Sequence, residues 1–474
     1  MSQAVLLVNA NRTRPPIAPL ALDYLAEGLD EARMPYSVLD LCFAESVEAA
    51  LTGALKSETP LLVAVTFRNT DDCYCATRHS FIPGLRALVT QVRELTDSPV
   101  VLGGAGYSVA PEGILDRVGG GYGIRGDGEG PLVALAQALR DGHEPRAIPG
   151  LVWREGAEMR SNPPAWGPVA QAPLARRAVD NERYFREGGQ GAVETKRGCP
   201  RGCVFCADHL GKGTRARLRP PAAVAEEMTS LAARGVDCFH LCDSEFNVDA
   251  GHAEAVCEEL VACGASEGLT WYAYLAPTPF SARMAELMER AGCAGINFGT
   301  DSGDPAMLRR LGRDHTPEDI AAGVDACHEN DIPVMIDLLL GAPGETRESV
   351  GTTIGLMKRV APTCVGVTLG ARVYPGTRLA AQLGVPGWRI PGLVGGTEGN
   401  DDLAMPVFYL EPALGEDPVG LLRELIAGDQ RFFFGWPDDV QADYNYDDNP
   451  ELTRAIADGH RGAYWDILRK VRGL

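Results

Sequence analysis

The sequence predicts an α/β protein in three parts. A doubly wound, flavodoxin- or Rossmann-like N-terminal domain is followed by a partial (β/α)6 TIM-like barrel and a small, mostly helical C-terminal extension. Three observations carry this. Short, continuously apolar runs alternate with helix-length amphipathic segments, the pattern of parallel strands covered on both faces. The alternation breaks once, at the Pro-rich stretch "SNPPAWGPVAQAPLARRAV", which reads as a linker or wrapping segment. It then resumes for six strand–helix units, few enough for an incomplete barrel whose function sits on the loops after the strands. The resulting boundaries are residues 1–150, a linker over 151–188, a barrel over 189–385 and an extension over 386–474.

The elements follow in order. "AVLLVNA" is a buried strand, and "APLALDYLAEGLDEA" has helical spacing. "YSVLDL" and "LLVAVTF" are strands with a helix between them, "PGLRALVTQVREL" is a helix, and "PVVLGGAG" is a strand that ends at glycines. "GYGIRGDGEGPLVALAQAL" supplies a strand, a glycine turn and a helix. The barrel strands are "GAVETK", "CFHLCD", "LTWYAYL", "GINFGT", "PVMIDLLL" and "CVGVTLGA", separated by helices such as "PAAVAEEMTSLAARG" and "SARMAELMERAG". In the tail, "RFFFGWPDDVQADYNYDDNPEL" is both aromatic and acidic, and "TRAIADGHRGAYWDILRKV" is a helix.

Composition narrows the function. The 474 residues carry a net charge of −20, which argues against nucleic acid and anionic membrane surfaces as partners. No run of about 18 apolar residues suggests a membrane span. The start has no basic region or small-residue cleavage site, so a cytoplasmic location is expected. The 13 cysteines are then reduced and read as ligands, redox groups or small core residues. Cys42, Cys238, Cys257, Cys263, Cys293, Cys327 and Cys364 stand singly in apolar segments and read as core.

"TKRGCPRGCVFCADH" is different: Cys199, Cys203 and Cys206 fall in one Gly- and Arg-rich loop after the first barrel strand. Three thiols are one short of a structural zinc site; the other cysteine pair, Cys73 and Cys75, lies in the first domain. A [4Fe–4S] cluster, with one thiolate per iron, would be left with one iron open to a small molecule.

This C-x3-C-x2-C spacing, with the aromatic Phe205 before the last cysteine, resembles the cluster motif of the radical SAM enzymes. The resemblance implies that Cys199, Cys203 and Cys206 bind a [4Fe–4S] cluster whose open iron chelates S-adenosylmethionine. Reduction by an external donor of flavodoxin or ferredoxin type would then cleave the sulfonium and yield a 5′-deoxyadenosyl radical. "LCDSEFNVD" stands where the family often has Gly-Gly-Glu, and "GTDSGD" resembles its G-x-E-S-G segment with Asp301 in place of Glu. Phe205, Asp243, Glu245, Asp301 and Ser302 are therefore the expected S-adenosylmethionine contacts. "LLLGAPGET" and "VYPGT" resemble the turns after the fifth and sixth strands.

The first domain resembles the cobalamin-binding (B12-binding) domain found before many radical SAM cores, through "LLVNANRTRPPIAPLALDYLAEGL", "VVLGGAGYSVAPEGIL" and "YGIRGDGEGPLVAL". The resemblance implies cobalamin contacts at Asn9, Arg68, Asn69, Asp71, Gly103, Gly104, Gly106, Ser108, Gly126, Gly128 and Glu129. The D-x-H-x-x-G signature is missing, so no histidine lower ligand is expected; His79 reads as a surface residue. The implied activity is that of a class B radical SAM methyltransferase, moving methyl from S-adenosylmethionine through methylcobalamin to a carbon of a small-molecule substrate. Two alternatives stand beside it: a non-methylating rearrangement, ring contraction or cyclisation with the same cofactors, and methylthiotransfer, which the acidic charge disfavours. Tyr409, Phe432, Phe433, Phe434, Trp436, Tyr444, Tyr446 and Trp465 read as packing residues or as a substrate pocket, and Asp438, Asp439, Asp447 and Asp448 as a solvated face.

Overall fold

The computed structural model describes residues 4–385, 390–396, 399–436 and 448–474. Five parallel strands, β1 (Val5–Asn9), β2 (Tyr36–Asp40), β3 (Leu62–Thr66), β4 (Val100–Gly103) and β5 (Tyr122–Ile124), form the first sheet in the order β2-β1-β3-β4-β5. This is the flavodoxin-like order, whose chain direction reverses between β1 and β3 and opens a crevice at the carboxyl ends of those strands. β1 is buried throughout because helices cover both faces. One of them, Ile82–Leu95, buries Ile82, Leu85, Leu88, Val89 and Val92 along one stripe, each worth about 1.5–3 kcal/mol when fully buried. An antiparallel hairpin, β6 (Leu151–Glu155) and β7 (Glu158–Ser161), continues the sheet from β5. The first part of the segment read as a linker is thus sheet, held by ladder hydrogen bonds that a Pro-rich composition farther along does not reveal.

The second sheet curves as β8-β11-β12-β13-β14-β15-β19, all parallel. Its strands are β8 (Gly191–Val193), β11 (Cys238–Leu241), β12 (Thr270–Leu275), β13 (Cys293–Asp301), β14 (Val334–Leu340), β15 (Cys364–Leu369) and the short β19 (Phe432–Phe433). The six expected barrel strands are all present, and the extension adds a seventh. Between β8 and β11, β9 (Lys196–Arg197) pairs antiparallel with β10 (Arg217–Leu218) and brackets the cysteine loop. After β15, β16 (Ala371–Arg372), β17 (Leu393–Val394) and β18 (Phe408–Tyr409) form a small antiparallel sheet. The extension is therefore helical with three short strands.

The C-terminal helix Tyr464–Arg472 closes the amino-terminal end of the barrel. Trp465 Nε1 donates to Asn297 Oδ1 at 2.6 Å, and Tyr272 Oη donates to Asp466 Oδ2 at 2.8 Å. Asp466 is fully buried and also meets Arg469 and Lys470. Tyr409, Phe432, Phe433 and Trp465 are buried, and Phe434 and Trp436 pack on the barrel core, so these aromatics pack. Tyr444, Tyr446, Asp438, Asp439 and Asp447 lie outside the described residues. Of the seven single cysteines read as core, six are buried; Cys263 is exposed at the C-cap of the helix Ala250–Ala262, because the helix ends there and its last turn faces out.

Candidate active site at the barrel mouth

The cysteine loop leaves β9 at Gly198, whose φ is +91°. A Cβ there would lie 2.2 Å from the Arg215 carbonyl oxygen, so only glycine permits the chain to turn this close to β10. Cys199, Cys203 and Cys206 are free and half-buried. Burial pushes all three thiols up, Cys203 to about 11, and neighbouring thiols and carboxylates add to it. Such a trio is poorly ionised by itself and well suited to a cation that repays the desolvation. Among the described residues no three ligand side chains surround a single ion. Three thiols in one loop, each able to take a different iron, are the donor set a multi-iron cluster uses.

Five charged groups surround the loop. Arg313 donates Nη1–H to Cys203 Sγ at 3.2 Å and to Glu245 Oε1 at 2.9 Å, Nη2–H to the Gly299 carbonyl at 2.6 Å, and Nε–H to Asp301. Arg201 pairs with Glu245 and with both oxygens of Asp314 at 2.6 Å. Asp301 reaches Arg313 because β13 shifts register between Gly299 and Asp301 and Asp301 takes φ +63°; such a bulge re-aims a side chain at a strand end. Phe205 is partly buried in the same loop.

The other two expected S-adenosylmethionine contacts are committed elsewhere. Asp243 is buried, accepts from Thr195 N (2.8 Å) and Lys196 Nζ (2.9 Å), and so fixes the chain between β8 and β9. Ser302 is fully buried and bonds Thr353 Oγ1 and Asp304 N, starting the next helix. Both are engaged by neighbouring backbone and side-chain groups of the chain.

The carboxyl edge of the first sheet faces the same mouth. Helix Asp208–Lys212, which follows Cys206, packs on helix Ala105–Val109 after β4, and Arg125 Nε donates to the Leu210 carbonyl. Gly104, at φ +106°, would place a Cβ 2.6 Å from Phe67 O, and Gly106 would place one 2.8 Å from the Arg68 and Asn69 backbone. These glycines thus seat the Phe67–Asn69 loop upon the β4 turn. Gly103 has only Ile124 O within 4 Å of such a Cβ. Arg68 and Asn69 are half-buried, and the Arg68 guanidinium is close enough to bear on the Cys242 thiol at the end of β11. Ser108 Oγ accepts from Gly126 N at 3.0 Å and joins the two glycine turns. Gly128 precedes the helix Glu129–Asp141.

Other expected cobalamin contacts are occupied internally. Asn9 is fully buried, donating to Asp40 (2.9 Å) and Tyr184 (2.8 Å). Glu129 pairs with Arg197 across the domains at 2.8 Å. Asp71 is buried against Arg372 at 2.9 Å and also accepts from Thr70 and Cys73 N. Asp71 therefore clamps the loop after β3 to the barrel. His79 is exposed and stacks edge-on against Phe81.

Sequence reasoning missed Arg201, Arg313, Lys212 and His240. Lys212 bridges Asp208 and Ser244. His240 lies against the Tyr274 ring at 5.1 Å, with Nδ1 donating to the Leu241 carbonyl at 3.0 Å. Burial lowers its pKa to about 4, so the ring is neutral. Arg201 stood inside the cysteine motif; the others carried no local signal.

Comparison with known proteins bears on this arrangement directly. The Radical SAM superfamily model matches residues 193–357, which run from β8 into the helix before β15. The tryptophan 2-C-methyltransferase of Streptomyces laurentii is 32% identical over 97% of this chain and 95% of its own. The structure of the radical S-adenosylmethionine methyltransferase TsrM from Kitasatospora setae, with tryptophan and a SAM analogue bound, is 34% identical, superposes with a TM-score of 0.92, and covers 100% of this chain and 99% of its own. The cobalamin-dependent radical enzyme OxsB shares the fold, with a TM-score of 0.71 at 15% identity over 90% of this chain and 66% of its own. A second TsrM structure, with cobalamin and a [4Fe–4S] cluster bound, is 32% identical with a TM-score of 0.90 and covers 100% of this chain and 99% of its own. The chain belongs to the cobalamin-dependent radical SAM family and is a C-methyltransferase of that family.

Proposed function

We propose that the substrate is tryptophan or a closely related indole amino acid, methylated at carbon 2 of the indole. The observation that carries this is the near-complete alignment, at about a third identity, with a tryptophan 2-C-methyltransferase and with a tryptophan-bound methyltransferase structure. The alignment spans the first domain, the barrel and the extension, all of which contribute to the region around the mouth.

The residues fit the groups this reaction needs. Cys199, Cys203 and Cys206 would hold the [4Fe–4S] cluster, and Phe205, Glu245 and Asp301 would border S-adenosylmethionine beside it. Arg68, Asn69 and Gly103, on the sheet edge that faces the loop, would border cobalamin, with Ser108, Gly126 and Gly128 shaping the turns behind. When bound, the cluster and cobalamin supply the electron-transfer and methyl-carrying chemistry that side chains cannot. The chain's own part is enclosure and orientation. Asp71 and Arg372 hold the loop after β3 down on the barrel rim, and the helix Tyr464–Arg472 covers the far end. Neutral His240 and Tyr274 offer an aromatic wall without a competing charge. The reductant and the cytoplasmic location belong to the same reading; among the described residues no helix is long and apolar enough to cross a membrane.

The test supplies the cobalamin-loaded, anaerobic protein with methyl-deuterated S-adenosylmethionine and offers tryptophan, indole and phenylalanine in competition. The reading expects the label on carbon 2 of tryptophan, located by mass spectrometry and NMR. Label on a non-indole carbon, or none on any of the three, would overturn it.

A further inference from the structure

We propose that Arg313 is a positioning residue that raises the reduction potential of the cluster, through an N–H···S bond to Cys203 and a fixed positive charge beside it. The inference rests on the cluster assigned above but not on the substrate. Its first observation is the contact itself, Nη1 to Cys203 Sγ at 3.2 Å. Its second is the way the guanidinium is held. Asp301, Glu245 and the Gly299 carbonyl take three more of its five N–H donors, so three acceptors on two elements aim it. Its side chain is only 7% exposed. Asp301 reaches it through a left-handed backbone at the bulge in β13, a conformation uncommon for a residue other than glycine. Arg201, on the other side of Glu245, is bound to carboxylates and to the Thr278 carbonyl. Among the described residues, Cys206 receives the Asp208 backbone N–H, at 3.5 Å.

The consequence is electrostatic. When the cluster takes one electron it gains one unit of negative charge, and no bond in the protein forms or breaks. A donor hydrogen bond to a ligating sulfur and a cation nearby both stabilise the more negative state, and hydrogen bonds to the sulfurs are among the recognised determinants of cluster potential. Burial keeps solvent from screening the effect. The planar fork of arginine serves the sulfur and the carboxylates at once, which a lysine ammonium cannot do in the same geometry.

The test uses the full chain with its cluster reconstituted anaerobically, as wild type, Arg313→Gln and Arg313→Lys. Iron content is checked first. Each is then titrated with dithionite and mediators while the reduced cluster is followed by EPR. Arg313→Gln is expected to lower the midpoint so that the reduced-to-oxidised ratio at fixed potential falls about tenfold, ~59 mV for one electron. Arg313→Lys, which keeps the charge and loses the fork, is expected to fall between. In parallel, wild type labelled with 15N-guanidinium arginine is expected to show a nitrogen coupling to the reduced cluster by pulsed EPR. An unchanged midpoint in an iron-replete Arg313→Gln protein overturns the proposal. If that variant fails to assemble a cluster, the labelled wild type decides, and absence of the coupling overturns it. A wild type that binds no iron overturns the cluster assignment and this proposal with it, a result separable from a cluster whose potential ignores Arg313.

Discussion

The two ends of the barrel are built on opposite principles. At the amino-terminal end, the helix Tyr464–Arg472 fills the opening with Trp465 and pairs buried polar groups within the chain: Asn297 with the indole N–H, Tyr272 with Asp466, Asp466 with Arg469 and Lys470. At the mouth, three thiols share a loop with their pKa values driven up by burial, and buried arginines and carboxylates gather around them. The floor is held by its own chain. The thiols of the mouth are a donor set for a cation: deprotonated, they would be buried anions, which are costly unless paired.

The largest effect expected on this contrast comes from Cys203→Ala. Methyl transfer should drop to background and reconstituted iron should be lost, while circular dichroism stays native because the thiol adds little to the core. Retained iron with full activity would remove the distinction between the ends. Arg372→Ala comes next, since it leaves Asp71 buried and unpaired where the loop after β3 meets the rim. A loss of about 3–5 kcal/mol is expected, read by denaturant unfolding, together with weaker cobalamin retention. Trp465→Ala at the floor should cost a comparable ~3–5 kcal/mol through cavity formation but leave iron and cobalamin content unchanged. If Trp465→Ala lost the cofactors and Arg372→Ala did not, the assignment of the two ends would be reversed.

The smallest effect concerns Glu345, in the turn after β14. It is fully buried and accepts from Ser349 with one oxygen, while the other makes no full hydrogen bond with a partner among the described residues. Burial raises its pKa from 4.5 to about 7. Because the folded value is the higher one, its contribution is fully present below about 4.5 and is lost as pH rises through about 7. At ~1.4 kcal/mol per unit the term amounts to roughly 3 kcal/mol. Unfolding free energy measured from pH 4.5 to 8 should carry this downward slope in wild type and lose it in Glu345→Gln; parallel curves for the two would dismiss the assignment.

What was legible in the sequence was local. Apolar runs between amphipathic helices gave the strands of both sheets, because a parallel strand buried on two faces must be apolar throughout. The cysteine loop was legible because its spacing lies within eight residues. Which way a side chain faces at a strand end was not. Asp243 and Ser302 stand where cofactor contacts were expected, yet each satisfies nearby backbone, and Asp71 is held by an arginine that lies 301 positions on. Arg313 was missed for the same reason. It meets Cys203 across 110 positions and sits in "LRRLGRDHT", which reads as a helix end. The hairpin after residue 150 escaped notice because "LVWREGAEMRS" alternates only weakly and borders a Pro-rich run.

The most direct test of the account is the cofactor content of anaerobically purified protein, expressed with cobalamin and iron–sulfur assembly supported, in wild type and in the Cys199→Ala, Cys203→Ala, Cys206→Ala triple variant. The account predicts about four irons and near-stoichiometric cobalamin per wild-type chain, with iron lost and cobalamin kept in the variant, since the two groups are bound by different domains that face one mouth. An intact cluster with no cobalamin in the wild type, or iron unchanged in the triple variant, would contradict it.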